Sequence, residues 1–323
     1  MSPLLLAVLR QLSHEDFLSG EVLAKRLGCS RATVNNAIRE AAGGGVSVHA
    51  VHGRGYRLAR PLSWLAPDRL RAELAPRGVS LRYFDQLPST NTHLLEWAQS
   101  GAPHRALVVS EWQSDGRGRR GRAWHGGLGG GLTFSLLWRS SRPVAELSGL
   151  SLAVGASLVG ALRDLGLARA MVKWPNDILV DDAKLAGVLI ELTGDMLGPS
   201  AAVIGVGINV LGGEALTETV GQPVTDLRRH VGPLDRNDLL LALVSGLDAS
   251  LGRFEREGFA GFRQAWQDYH AHQNRPVRIH TGQGEPILGR AVGVDEQGAL
   301  LLDTGSDLRR FHAGEVSLRA DTP

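Results

Sequence analysis

The sequence predicts an α+β protein built from three domains, and three patterns along the chain support that prediction. Residues near the N-terminus show capped helices followed by a short hairpin pattern. The long central stretch mixes strand and helix patterns, and the C-terminal stretch alternates apolar residues with Gly and Asp turns. We therefore place the domains at residues 1–62, 63–272 and 273–323.

The N-terminal region has the signals of two helices joined by a tight turn. Ser19 is expected to cap a helix that runs through Leu27, and Ser30 a second helix through Ala42. Residues 46–58 then form two short strand patterns that turn at residues 52–55. This order predicts a winged helix-turn-helix.

Charge in this region favours a nucleic-acid partner. Residues 1–60 hold eight basic and four acidic side chains, a net charge of +4, whereas the whole chain carries only +2. Asn suits adenine and Arg suits guanine in the major groove, and wing arginines suit phosphates. The expected DNA contacts are Arg31, Thr33, Asn35, Asn36, Arg39, Arg54 and Arg57. A helical module that contacts another protein is the alternative.

The central stretch predicts a mixed sheet with helices packed against it. An amphipathic helix is expected at residues 147–165, and a second helical region from 237 to about 270. The candidate strands are residues 107–111, 132–138, 170–173, 178–180, 188–192 and 203–210. A small C-terminal barrel is expected to be filled by Val277, Ile279, Ile287, Leu288, Val292, Val294, Leu300, Leu301, Leu302, Val316 and Leu318.

Composition excludes several classes of protein. Cys29 is the only cysteine, which excludes an internal disulfide framework and any multi-cysteine zinc site, and the histidines are too scattered to predict a metal centre. No apolar stretch reaches the roughly 20 residues that a membrane-spanning helix needs. Residues 4–9 lack the flanks of a signal peptide, so we expect a cytoplasmic protein without a membrane partner.

Residues 116–124, GRGRRGRAW, place four arginines among three glycines; we call them the Arg-Gly loop. The guanidinium groups repel one another, and each glycine adds backbone entropy that ordering must overcome. We therefore expect the loop to become ordered when an anion binds, because paired arginine donors grip phosphate or carboxylate. An RNA-binding arginine-glycine tract is the alternative explanation.

Residues 173–192, KWPNDILVDDAKLAGVLIEL, contain two of the three lysines of the chain. A turn at residues 181–183 places Lys184 near the end of the preceding strand, and Asp177 stands where that strand begins. Taken singly, a solvated hairpin lysine and a turn-forming aspartate explain the two residues as well.

A third segment, VIGVGINV at residues 203–210, is expected to be a buried strand. Its Gly205 and Gly207 remove side chains that would block the approach of a ligand. The segment lacks the third glycine of a dinucleotide fingerprint, and the chain has no Walker A motif, so a bound nucleotide is not held by a P-loop.

With the sequence Ser89-Thr90-Asn91 upstream, these three segments resemble the biotin-protein ligase family. The N-terminal module resembles that of the bifunctional branch, the biotin operon repressors, and the likeness covers nearly the whole chain. It implies a class II synthetase-like catalytic domain and an SH3-like C-terminal domain. It also implies that biotin attacks the α-phosphate of ATP with Mg²⁺ present. The acyl-adenylate then passes to a lysine of the biotin carboxyl carrier protein of acetyl-CoA carboxylase, without an enzyme nucleophile.

The resemblance also assigns roles to individual residues. Lys184 is expected to bind the carboxylate and the α-phosphate, Arg119 to close over the acyl end, and Asp177 to steer or deprotonate the incoming lysine. The biotin-binding positions are Ser89, Thr90, Asn91, Gln113, Arg117, Gly118, Arg119 and Lys184. The positions for ATP or adenylate are Arg119, Arg122, Lys173, Asn176, Lys184 and Asn209, and no protein metal site is expected. Trp124 and Trp174 are expected to pack in the core.

The resemblance further implies a ligand-dependent homodimer on a palindromic operator, and one departure bears on it. Some repressor-type members carry a tryptophan that packs on adenine after the third segment, but residues 211–235 contain none. Three alternatives stay open: a ligase with a non-functional helix-turn-helix, a lipoate or octanoate ligase, and a transcription factor that senses biotin without catalysis.

Overall fold

The computed structural model describes residues 1–194, 196, 198–281, 285–313 and 317–320, and Val316 lies outside them. The helices are α1 Pro3–Gln11, α2 Gly20–Leu27, α3 Arg31–Glu40, α4 Pro67–Leu74, α5 Thr90–Gln99, α6 Leu150–Asp164, α7 Thr217–Val220, α8 Leu227–Val231, α9 Arg236–Glu257 and α10 Arg263–Asp268. The N-terminal hairpin consists of β1 Val48–Val51 and β2 Gly55–Leu58. The strands of the central sheet are β3 Ser80–Leu87, β4 Ala106–Gln113, β5 Gly131–Ser140, β6 Met171–Lys173, β7 Asp177–Val180, β8 Ala183–Gly194 and β9 Ser200–Asn209. The C-terminal strands are β10 Pro276–His280, β11 Ile287–Val294, β12 Leu300–Asp303, β13 Leu308–Phe311 and β14 Ser317–Ala320.

Helices α1 to α3 and the hairpin β1–β2 form the predicted winged helix-turn-helix. Ser19 and Ser30 cap α2 and α3, because their hydroxyls accept the backbone N–H groups of Val22 at 3.2 Å and Thr33 at 3.1 Å. Gly28 ends α2 with φ at 64°, a left-handed conformation that favours glycine. These caps confirm the expected positions of both helix starts.

A seven-stranded mixed sheet forms the centre of the molecule, in the order β3-β4-β5-β9-β8-β7-β6. Only β3 and β4 run parallel, and the other neighbouring strands are antiparallel. Helices α6 and α9 pack on one face, whereas α5 packs on the other. The predicted mixed sheet is therefore confirmed, with β3 as an edge strand that the sequence patterns did not indicate.

The C-terminal strands form an antiparallel sheet in the order β13-β12-β11-β10-β14. In the described residues this sheet has two free edges and is not closed into a barrel. Val277, Ile279 and Leu302 are buried as expected. Leu288 is 57% exposed, so its assignment to the interior is wrong; it pairs across the outer face with Arg278.

The segment between the first two domains is held by buried hydrogen bonds. Glu111 on β4 accepts the backbone N–H of Leu65 at 2.7 Å and pairs with Arg236 of α9 at 2.8 Å. Arg236 also donates to the carbonyl of Ser63 at 2.6 Å. One buried ion pair therefore connects the central sheet, the linker and α9. Among the described helices, none combines the length and apolarity needed to span a bilayer.

Candidate active site and nucleic-acid interface

A cavity of about 530 Å³ opens over the central sheet, between the Arg-Gly loop and the C-terminal domain. It is lined by all the residues predicted for catalysis, biotin and nucleotide except one. The exception is Asn209, which is buried at the end of β9 beside Gly131. Distant segments of the sequence thus meet at one site.

One end of the cavity is built where α5 begins beside β4. The backbone N–H and the hydroxyl of Thr90 both donate to Oε1 of Gln113, at 2.7 and 3.1 Å. Ser89 is the N-cap of α5, and its hydroxyl accepts the N–H of Thr92. Ser89 and Thr90 are therefore helix-start residues and cavity residues at once, which combines the two explanations that the sequence allowed.

Asn91 lines the same end, but its side chain is occupied by the protein. Its Oδ1 accepts the hydroxyl of Ser135 at 2.6 Å, and its Nδ2 donates to Glu191 at 2.8 Å. A Cβ on Gly205 would lie 2.2 Å from Oδ1 of Asn91. Gly205 therefore makes room for Asn91, where the sequence had suggested room for a ligand, and Asn91 supports the cavity floor.

Lys184 and Asp177 form an ion pair inside the cavity, with Nζ 2.7 Å from Oδ1. The two side chains are only 19% and 16% exposed, which excludes a solvated hairpin lysine. Strands β7 and β8 are joined by a tight turn in which Asp181 and Asp182 have φ of 51° and 61°. This turn brings the two charged side chains together from one short stretch of chain.

The Arg-Gly loop closes on itself at its base. The backbone N–H of Trp124 donates to the carbonyl of Gly116 at 2.7 Å, and the backbone N–H of Gly118 donates to the carbonyl of Arg122 at 2.6 Å. Arg119 donates to Oδ1 of Asn176 at 3.2 Å and to the carbonyl of Ala313 in the C-terminal domain. Burial lowers the pKa of the Arg119 guanidinium, although Asp177 acts in the opposite direction. A half-buried cation thus faces the cavity beside Asn176.

Trp124 is a cavity residue that the sequence interpretation placed in the core. A Cβ on Gly207 would lie 2.3 Å from its indole ring, so that glycine receives the tryptophan. Nζ of Lys184 lies 5.8 Å from the ring centroid, a cation-π distance. Trp174 also lines the cavity, but it is 1% exposed and its indole N–H donates to the carbonyl of Gly298 at 3.2 Å, as expected of a core residue.

Residues 219–222 supply a further wall that no motif had indicated. The chain that follows them runs alongside the start of β8: Lys184 donates its N–H to the carbonyl of Pro223 at 2.8 Å, and Thr225 donates to that of Lys184 at 2.9 Å. The segment after β9 therefore reaches the cavity without a tryptophan.

The surface expected to meet DNA lies on α3 and the wing. Asn35 is half-buried, and its amide oxygen accepts the hydroxyl of Tyr56 at 3.3 Å. The guanidinium carbons of Arg54 and Arg57 lie 4.6 and 4.9 Å from the ring centroid of Phe17, which orders both wing arginines. The exposed members of the predicted set are Arg31, Thr33, Asn36, Arg39 and Arg54.

Three family models match the chain in succession. Residues 5–57 match an HTH domain, residues 83–209 the Biotin/lipoate A/B protein ligase family, and residues 272–319 the biotin protein ligase C-terminal domain. The fold and the cavity therefore define a protein ligase of the biotin/lipoate class that carries an N-terminal helix-turn-helix domain.

Relatives and solved structures narrow this class. The bifunctional ligase/repressor BirA of Escherichia coli (strain K12) is 38% identical over 98% of this chain and 97% of its own length. BirA of Bacillus subtilis (strain 168) is 30% identical over 94% of each chain. The biotin protein ligase from Aquifex aeolicus, solved with biotin and ATP, is 30% identical with a TM-score of 0.64, over 75% of this chain and 99% of its own. The chain belongs to the bifunctional ligase/repressor family.

Proposed function

We propose that this chain activates biotin with ATP, transfers it to a lysine of a biotin carboxyl carrier protein, and represses transcription in response to biotin. The observation that supports the chemistry most directly is the Lys184–Asp177 pair inside the cavity. The helix-turn-helix with its exposed α3 supports the second activity. The relatives named as bifunctional ligase/repressor combine the same domains.

In the first step, a carboxylate oxygen of biotin attacks the α-phosphorus of ATP. The bond from that phosphorus to the bridging oxygen breaks, and pyrophosphate leaves with the electron pair. Lys184 and Arg119 offset the repulsion between the two anions, because fixed cations in a half-buried site are already oriented for the developing charge. The biotin head occupies the end of the cavity formed by Ser89, Thr90 and Gln113.

In the second step, the amine of the carrier lysine attacks the acyl carbon, and AMP leaves. The amine must lose protons, and the carboxylate of Asp177 is placed to accept one and to orient the incoming ammonium. The Asp177 carboxylate pairs with the Lys184 ammonium in this structure, and the ammonium of the carrier lysine takes that place when the carrier protein binds. The carrier protein as acceptor follows from the family; the particular carboxylase is a proposal.

The phosphates lie along Lys173, Asn176 and Arg122, which line the cavity. Asn209, the other position that the resemblance assigns to the nucleotide, lies buried at the end of β9 outside the lining of the cavity. Among the described residues, no three His, Cys, Asp or Glu side chains are grouped as metal ligands. Asn176 offers an amide oxygen of the kind that Mg²⁺ accepts, which suits an ion that would arrive with the triphosphate and neutralise its charge.

We further propose that adenylate binding orders the Arg-Gly loop and that the ordered loop supports a homodimer on a palindromic operator. Such coupling requires the ligand to bind the dimer-competent state more tightly. Sedimentation with and without biotin plus ATP measures it, and we expect the dimer fraction to rise. An unchanged monomer fraction would refute the coupling while leaving the ligase intact. A cytoplasmic location stays a prediction.

The activity is tested by incubating the protein with biotin, ATP and Mg²⁺ and measuring biotinyl-adenylate by mass. Lipoate and octanoate serve as parallel substrates, and pyrophosphate release is followed in each. We expect an acyl-adenylate and pyrophosphate with biotin, and neither product with lipoate or octanoate. Formation of product with lipoate but not with biotin would contradict the substrate assignment. If no acid gives an adenylate, the protein is a transcription factor that senses biotin without catalysis. Retention of operator fragments by the intact chain tests the helix-turn-helix.

A further inference from the structure

Glu191 stands beside the cavity without lining it and joins two separate parts of the site. It lies on β8 with 29% of its side chain exposed. Its carboxylate accepts Nδ2 of Asn91 at 2.8 Å and lies 3.4 Å from a guanidinium nitrogen of Arg117. One carboxylate therefore contacts both the cavity floor and the first arginine of the Arg-Gly loop.

On the floor side, the hydrogen bonds continue to the end of the cavity assigned to the biotin head. Beyond Asn91, Ser135 lies 2.6 Å from Oδ1 of Asn91 and 2.8 Å from the hydroxyl of Thr90. Thr90 in turn donates to Gln113. Asn91 and Ser135 are buried, so the chain of bonds is shielded from water and each lost partner is costly.

On the loop side, Arg117 is held by protein acceptors. Its guanidinium donates to the hydroxyl of Thr92 at 2.9 Å and faces Glu191, whereas Arg119 reaches Asn176 and the C-terminal domain. The backbone of Arg117 bridges that of Ala123 across the base of the loop. A negative charge at this base also offsets repulsion among the four loop arginines.

We propose that Glu191 is a positioning residue, which fixes the base of the Arg-Gly loop to the floor beneath the biotin head. It acts through Arg117 and Asn91 and does not touch the substrate. Arg117 then anchors the loop, and closing over the acyl end falls to Arg119. The inference rests on the proposed function, because it concerns retention of the adenylate by that loop.

The test compares Glu191→Gln, Arg117→Gln and the double variant in full-length protein. Glu191→Gln keeps an acceptor for Asn91 but removes the charge opposite Arg117. Because a part-exposed ion pair contributes up to about 1 kcal/mol, we expect adenylate release and tryptic cleavage after Arg119, Arg120 or Arg122, sites that all the variants keep, to be about threefold to fivefold faster. The KM for ATP is expected to stay unchanged. In the Arg117→Gln background, Glu191→Gln should add nothing further.

Glu146→Gln is the matched control, since this exposed carboxylate also pairs with an arginine, Arg142, outside the cavity. Additive effects of the two substitutions would overturn the proposal, because Arg117 would then act independently of Glu191. Wild-type release and cleavage in Glu191→Gln would overturn it as well. The cleavage assay needs no ligand, so it tests the anchoring even if the wild-type protein forms no biotinyl-adenylate. Thr92→Val, which removes the other acceptor of Arg117, should speed cleavage in the same direction.

Discussion

Lys184 holds its position in the cavity as a compact ammonium between Asp177 and the indole of Trp124. We expect Lys184→Arg to preserve the charge but to lower the adenylation rate by about a hundredfold, roughly 3 kcal/mol in the barrier. The planar guanidinium is wider than the ammonium whose Nζ lies 2.7 Å from Oδ1 of Asp177, so an arginine does not place a compact charge at the same point. Single-turnover formation of biotinyl-adenylate measures the effect. Turnover within about threefold of wild type would contradict the requirement for a compact cation.

Contacts between individual residues could be predicted from the sequence only where the two residues are close along the chain. Lys184 and Asp177 share one hairpin, so turn chemistry alone brought them close, and their ion pair confirms that placement. Glu191 and Asn91 are separated by 100 positions, and only the packing of α5 against the sheet joins them. Trp124 was predicted to pack in the core, but it lines the cavity and packs against Gly207 of β9. The sequence does not distinguish the two cases, because a tryptophan and a glycine can pack together beside a core or beside a cavity.

Between elements, the buried pair of Glu111 and Arg236 connects β4 to the start of α9. Both side chains are 0% exposed, and the linker carbonyl of Ser63 depends on the same arginine. We expect Glu111→Leu to lower the free energy of unfolding by about 3–5 kcal/mol, because it leaves a buried charge without its partner. Urea unfolding measures the change.

Glu111→Leu combined with Arg236→Met is the informative comparison for that pair. Replacing both charges by apolar side chains removes the uncompensated charge, so the double variant should be more stable than Glu111→Leu alone. If the two losses simply add, the ion pair is not the interaction that holds these elements together.

His270 and His272 lie at the junction of α10 and β10, and burial lowers the pKa of each from 6.5 to about 4. The unfolded chain binds protons near pH 6.5 and the folded protein only near pH 4, so stability is lost as pH falls through this window. Each histidine should reduce the free energy of unfolding by about 2 kcal/mol between pH 7 and pH 5. Urea titrations of wild type and His272→Gln at both pH values check this. An equal loss in the two proteins would show that His272 does not contribute.

Element types were predictable where the pattern is local and strong. The caps of Ser19 and Ser30 gave the helix pair, and continuous apolar runs gave β4, β5 and β9. Strand β3 was missed because an edge strand is only half-buried and its apolar alternation is weak. The exposed Leu288 shows the same limit, since alternation does not reveal which face of a small sheet is covered.

Across the whole molecule, the DNA-binding domain is joined to the catalytic domain through Arg10 of α1. Its guanidinium lies 2.5 Å from both Asp85 and the hydroxyl of Tyr83 on β3, and its carbon stands 4.2 Å above the ring of Trp64 in the linker. Tyr83 also lies 3.1 Å from Glu111, and burial together with this carboxylate raises the pKa of its phenol. The domain contact therefore continues into the buried pair that secures the linker. No sequence pattern indicated it, because its members come from three separate segments.

We expect Arg10→Gln to loosen the DNA-binding domain without changing adenylation. The pair is part-exposed, so its loss should raise the population of opened linkers by about fivefold, seen as faster chymotryptic cleavage after Trp64 of the linker. Two recognition helices must be held at a fixed spacing to contact successive major grooves, so operator affinity should fall by a similar factor. Arg71→Gln, which removes an exposed pair within α4, is the matched control. Unchanged cleavage and operator affinity in Arg10→Gln would show that packing around Leu128, rather than this ion pair, sets the orientation of the domain.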